Sequence, residues 1–574
     1  MPAYFRLFPI GLIAGVVRPM VLSQLLLIIS VLNLAGCATS GAGKTINEAT
    51  ASAPELLAAA ERAIDESRYS QAARFLARAA TLTDDEEVVE QAAQQCYAMQ
   101  QLRATLEISE RWLAINPTNL QAREYATLSA IRLYRVGVAA KHLHVLLDQG
   151  YITPAAGFLD WLTKLPGSDD HAALAVMKEL SLGYPKMAEA HYAVARLAEL
   201  TDDFSLMTSA AQRAQELAPY WSPAGLLLAK SYLLQGQSEL AIQTGQAVVK
   251  NDDSLSTRSE YAGLLLSAGK PNEALQLWRE LEQSEGDNSA AMRALAYLDF
   301  QVGNYQSSFN RLNTLLNSGN RISESIFYLA GIAERTGAKA EARQLYGRVQ
   351  EGQFALPAQL RIAYLVKESD GLDAALASLK LYGETNADEL IPTLQARAAL
   401  LAEEGDDAEL AKFYEQAVTD YPDAVVLQMD RAFHLLKMGK ASTGMQVMRE
   451  MLKSRSEDPV VLNAFGYTLL DHTQQYQEAF DYIQAAYRAT PDSAPVMDSM
   501  GWALFKLGKA EEALVYLQKA SNKMRDEEVE LHLGEVLWSL DRHDEALKAW
   551  KRGLEAVPEN KTLQQRIKRA TESH

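Results

Sequence analysis

The feature that most restricts what this chain can become is a spacing. Near the C-terminus three segments superimpose, Asp458–Ile483, Ser493–Leu517 and Glu527–Trp550. Each carries an apolar residue, a Gly, a Leu three residues on, a turn, an Ala and a large apolar residue four further on. The glycines are Gly466, Gly501 and Gly534, the leucines Leu469, Leu504 and Leu537, the alanines Ala479, Ala513 and Ala546. Upstream, the alanine position recurs at Ala241, Ala274, Ser308, Ala342, Ala375, Leu410 and Gly444, with every interval between 33 and 35 residues. Between these marks apolar residues return about every four positions, the period of a helix and not of a strand. One helix pair cannot bury its apolar face alone, but stacked copies form a continuous core in which each repeat touches its neighbours. The fold class that follows is all-α, a superhelical solenoid of antiparallel helix pairs. A small residue at the crossing lets the two helices approach. The large residue, such as Leu517 or Trp550, is expected to pack onto the next pair.

The spacing resembles the tetratricopeptide repeat, whose period is 34 residues. Pro422, Pro491 and Pro558 fit the end of its second helix, because proline cannot continue a helical hydrogen-bond ladder. The array is assigned to residues 221–560. Residues 54–220 read as degenerate repeats of the same kind: Ala72, Leu76 and Ala79 fit one, and Trp112 with Pro117 ends another. Pro154, Pro166, Pro185, Pro219 and Pro223 punctuate the blurred stretch, and a small separate helical domain is the alternative there. Residues 561–574 read as a capping helix and tail, with Leu563 and Ile567 four apart. The resemblance implies that the first helix of each pair lines a concave groove, reached by the residue after the repeat glycine: Tyr467, Trp502 and Glu535. Four positions earlier stand Asn463, Asp498 and Leu531, and Phe505 and Trp538 fall further along the same face. Asn463, Tyr467, Asp498, Trp502, Phe505, Glu535 and Trp538 are therefore the candidate protein-binding residues. Against this stands the reading of Trp502 and Trp538 as core residues that pack adjacent repeats.

The N-terminus carries a different signal. Residues 21–35 form an apolar run behind Arg6 and Arg18, too short for the roughly 20 residues of a membrane span. Charge, apolar run and small residues in that order mark an export signal. Leu34-Ala35-Gly36-Cys37 resembles the bacterial lipobox, which implies cleavage between Gly36 and Cys37 and acylation of the Cys37 thiol. Residues 1–36 are then a lipoprotein signal peptide, and 37–53 the lipidated cysteine with a flexible tether of roughly 20–24 Å. Ala38 stands where an aspartate would favour inner-membrane retention, so the expected location is the outer membrane, facing the periplasm. The signal is long, and a start at Met20 would lose both arginines; both starts stay open.

Little in the chain suggests chemistry. A net charge of −18 repels nucleic acid and anionic lipid, so membrane attachment is expected to be covalent. Of the 2 cysteines, Cys96 lies among Ala92, Ala93 and Met99 and is expected as a buried helical thiol. Ala38–Thr45 matches a loose phosphate-loop pattern, but the strand that such a loop requires would be the cleaved signal. The 9 histidines form no metal-binding spacing, and His142 and His144, two apart on a helix, face different ways. The pairs Glu403-Glu404, Asp406-Asp407 and Glu511-Glu512 are expected where turns or second helices begin, where they favour the helix dipole. No catalytic residue, metal, cofactor, nucleic acid or small-molecule substrate is expected, and the chain reads as a non-enzyme that binds proteins.

The lipobox followed by the C-terminal motifs NAFGYTLLD, DSMGWALFKLGKAEEAL and HLGEVLWSL is most similar to the LbcA-type tetratricopeptide lipoproteins of Gram-negative bacteria. That resemblance implies an outer-membrane adaptor for a periplasmic carboxyl-terminal processing protease and its substrates, such as peptidoglycan hydrolases; the shorter NlpI lipoprotein plays a comparable part. The alternative is a scaffold lipoprotein of an envelope assembly or export machine serving exopolysaccharide, pilus or outer-membrane protein assembly.

Overall fold

The computed structural model describes residues 47–148, 154–164, 170–284, 288–319, 322–524 and 526–572. The signal segment, Cys37 and Ala38–Thr45 lie outside the described residues, as do Pro166 and His574. Among the described residues there are 31 α-helices and no strands. They alternate as first and second helices of antiparallel pairs, for example Ala494–Lys506 with Ala510–Lys523 and Glu527–Ser539 with His543–Ala556, and Lys561–Glu572 stands last. The chain is an all-α solenoid of the tetratricopeptide type.

The repeat glycines are notches. A Cβ on Gly501 would lie 2.6 Å from Cγ of Leu517, and one on Gly534 would lie 2.1 Å from Nε1 of Trp550. The large residue of the second helix therefore fills a notch on the first helix of its own pair, a correction to the expectation that it packs onto the next. The reason is geometric: within an antiparallel pair, a residue one turn beyond the small crossing residue faces back across the crossing. Upstream the notch is lined by Ala262, Ala296, Ala330, Ala363, Ala398 and Ala432, none more than 3% exposed.

A second periodic mark is conformational. The turn inside each pair places one residue in the left-handed region, where a residue without Cβ is least strained. Gly236, Gly269, Gly303, Gly337, Gly371, Gly405, Gly439 and Gly508 hold this position, and Ser67, Gln100, Tyr134, Asp202 and Asp541 hold it elsewhere. It returns every 33 or 34 residues except near 168, outside the described residues, and near 473, where Thr473 ends its helix in an extended conformation. The same helix pairs thus run through the N-terminal stretch, with Glu86–Ala98 and Leu102–Ile115 flanking Gln100.

The array also touches itself. Nε2 of Gln100 donates to the Ala387 carbonyl at 2.8 Å, Nε2 of Gln101 to that of Asp420 at 2.7 Å, and the Arg103 amide to the Asp423 carboxylate at 3.0 Å. Arg455, buried and paired with Asp458 at 2.9 Å, donates to the Arg132 carbonyl. The partners stand 287 to 323 residues apart in sequence, roughly nine repeats of 34 residues. Successive turns of the superhelix therefore meet edge to edge.

Local details complete the picture. Leu563 is fully buried and Ile567 packs on the same C-terminal cluster, so Lys561–Glu572 covers the last pair. Cys96 is fully buried and free, and burial pushes its thiol pKa up, which keeps it protonated and inert. Asp406 caps Asp407–Asp420 through the amides of Ala408 and Glu409, and Glu511 with Glu512 opens Ala510–Lys523. Glu403 and Glu404 do not follow that rule. They end the first helix Leu390–Glu404, where the dipole disfavours them, and Lys367 holds them at 3.0 and 2.8 Å.

Candidate protein-binding wall

The first helices line one side of the stack: Pro459–His472 touches Ala494–Lys506, which touches Glu527–Ser539. Tyr467 confirms that this side is the inside of the curve. Its hydroxyl donates to the Glu528 carboxylate, 61 residues and two repeats away. Only on the inner side of a bent array do first helices two repeats apart come within hydrogen-bond reach.

Around this bridge the candidate residues gather. Both carboxylate oxygens of Asp498 lie 3.0 Å from Nδ1 of His532, and the pair is buried. The Trp502 ring stacks on the His532 imidazole, centroids 4.1 Å apart and planes 17° apart. Phe505 stacks on Trp502 at 5.4 Å, and Nζ of Lys506 sits 4.4 Å over the indole, a cation–π contact. The indole N–H is turned to the Asp471 carboxylate without a well-formed hydrogen bond. Glu535 pairs with Arg566 of the final helix at 2.7 Å, tying the wall to the cap. Asn463 is half-buried, and its Oδ1 has no hydrogen-bond partner.

Electrostatics here are those of a crowded carboxylate group. Burial raises the pKa of Asp471, Glu528 and Glu535. For His532, burial favours the neutral ring, but the carboxylates of Asp498, Glu528 and Asp471 outweigh it and hold the pKa above 6.5. The imidazolium so favoured lies between a carboxylate and an aromatic face, and at 4% exposure it is shielded from solvent.

Tyr467, Asp498, Trp502, Phe505 and Glu535 thus share one wall. Trp538 does not join them: it stacks on Trp550 at 5.5 Å and lies tilted by 36° against His543 at 4.2 Å, both in the second helix of its own pair. Trp502 and Trp538 both pack on the C-terminal core while staying partly exposed. The spacing gives no signal for Asp471, Glu528 and His532, because a bridge between separate helices leaves no local pattern. The aromatic position itself runs further than the glycines suggest: Tyr297, Tyr364 and Phe433 each follow a notch alanine, and Phe433 is 48% exposed. Among the described residues no group of three metal-ligating side chains is assembled, and no helix is long and apolar enough to cross a membrane.

No protein-family model matches the chain. It is 29% identical over 209 residues to TPR repeat-containing protein PA4667 of Pseudomonas aeruginosa, a match covering 36% of this chain and 35% of that one. To TPR repeat-containing protein MJ1428 of Methanocaldococcus jannaschii it is 27% identical over 141 residues, 25% of this chain and 23% of that one. The chain thus spans well under half the length of either relative. Among solved structures, the APC/C hetero-tetramer Cut9–Hcn1 aligns over 85% of this chain and 96% of its own at 13% identity and a TM-score of 0.32. Yeast Tom70 aligns over 90% and 99% at 12% identity and a TM-score of 0.30. A tetratricopeptide-type scaffold of this kind is suited to binding proteins.

Proposed function

We propose that this chain is a non-catalytic lipoprotein of the outer membrane, facing the periplasm, that binds proteins on its inner wall and brings a carboxyl-terminal processing protease to substrates such as peptidoglycan hydrolases. The observation that carries the binding role is the wall itself, where Trp502, Phe505 and Tyr467 stand among carboxylates on consecutive first helices. Aromatic anchors beside polar groups are the pattern that protein interfaces favour. The lipobox at Cys37 supports the anchor, and the C-terminal motifs support the adaptor role through their similarity to LbcA-type lipoproteins. Holding enzyme and substrate on one anchored scaffold raises their effective concentration without any chemistry of its own.

The test is deletion. Loss of this chain should leave cell-wall hydrolases at raised levels, and re-expression should restore turnover, whereas Cys37→Ser should release the protein from the outer membrane. Unchanged hydrolase levels, with assembly or export subunits depleted instead, would replace the adaptor by the envelope scaffold.

A further inference from the structure

The seam between superhelical turns is built from unusual parts. The left-handed turn position is glycine in eight repeats, yet at the seam it is Gln100, Tyr134 and Asp202. A side chain there strains the backbone, and two of these residues reach across the seam. Gln100 is 2% exposed and donates to the Ala387 carbonyl, and Tyr134 lines a small gap of about 40 Å3 shared with Thr490 and Ser493. Of the other two non-glycine turns, Ser67 adjoins Tyr69, which stacks on Tyr421 across the seam at 6.1 Å, and Asp541 lies elsewhere.

The contacts are in register. Turns inside the N-terminal pairs meet loops between later pairs: Gln101 and Arg103 meet Asp420 and Asp423, and Arg132 meets Arg455. They are also mostly polar, and a second small gap of about 20 Å3 lies between Leu133 and Met451. Neighbouring repeats, by contrast, interlock through buried side chains: Tyr261 closes on Gly245 of the pair before it, and Phe300 on Gly331 of the pair after it. An interface of polar contacts around small gaps resembles those between domains, across which relative motion is the expectation.

We propose that the seam is a latch: the N-terminal helix pairs, residues 69–203, separate as a unit from residues 387–493 and open the superhelix sideways. Opening gives a protein partner lateral access to the inner wall. That consequence rests on the binding role proposed above; the latch itself does not.

The test is a distance measured without any partner. Paramagnetic labels are placed at Arg135→Cys and Glu457→Cys, both exposed and on opposite sides of the seam, in the full chain in mild detergent. Buried Cys96 stays unlabelled, and the chain without added cysteines is the blank. The labelled parent should give one dominant short separation. Adding Gln100→Gly with Arg103→Ala removes the Gln100–Ala387 hydrogen bond and the ion pair of the Arg103 guanidinium with Asp423 at 2.7 Å, while relieving the left-handed strain at 100. It should raise a long-separation population severalfold without lowering the melting temperature. An unchanged distribution in that variant, or a parent already spread over long distances, would overturn the latch. Because the reading is a distance alone, failure of the partner assignment would leave it intact.

Discussion

At Gly534 the notch has no room for a methyl group, since Nε1 of Trp550 would lie 2.1 Å from a Cβ. Gly534→Ala is therefore expected to destabilise the last pair by about 1–3 kcal/mol, the usual cost of forcing a close-packed site apart. Hydrogen exchange across residues 527–556 reads this directly, and an unchanged rate would show that Trp550 moves aside freely. The wall makes a second prediction at the same scale. His532 has a raised pKa, so its stabilising contribution is complete below 6.5 and is lost as pH rises through the folded-state value. Asp471, Glu528 and Glu535 also have raised pKa values, and ionising them in the folded wall costs stability as pH rises above the carboxylate range. Both signs agree. Residues 494–539 should exchange more slowly at about pH 5.5 than at about pH 8 once intrinsic rates are corrected, and His532→Gln should flatten the upper part of that trend. A wall more stable at the higher pH would refute this electrostatic account.

Between helices, the C-terminal cap is the simplest element to test. Leu563 is fully buried, and its Cδ1 packs so close to Gly553 that a Cβ there would lie 2.8 Å away. Leu563→Ala should cost about 2–5 kcal/mol, the range for such truncations in a core. The loss should appear as faster exchange in 543–572 and not in the pairs before 459; a loss spread evenly along the chain would contradict nearest-neighbour stacking. Elements like this one were legible because their signals are local. The notch glycines, the prolines after second helices and the Leu563–Ile567 pair all lie within one or two turns of what they specify. The N-terminal pairs were blurred for an equally local reason: Ser67, Gln100, Tyr134 and Asp202 stand where later repeats keep glycine. Within the wall, the face of Tyr467 and Trp502 followed from the repeat, but Glu528 and His532 come from other helices, and only curvature brings them near.

On the scale of the molecule, curvature decides what periodicity cannot. The 34-residue repeat specifies what each pair touches next; it does not say where the array will be after roughly nine pairs. That is why the seam, joining residues up to 323 apart, leaves no trace in the repeat pattern. Repeats coupled mainly to neighbours should unfold in more than one step. Denaturant unfolding followed by exchange should therefore show the C-terminal cluster and the N-terminal pairs losing structure at different midpoints; a single coincident transition would show that the seam joins them into one cooperative unit. The central claim, that the inner wall is where proteins bind, is tested most directly by parallel capture. Tagged parent and a Trp502→Ala/Phe505→Ala variant would be drawn from detergent-solubilised envelopes and their companions quantified, with helix content checked by circular dichroism. The account predicts that the parent retrieves a processing protease with cell-wall hydrolases, and that the variant stays helical and retrieves them far less. Equal recovery by a folded variant would contradict it.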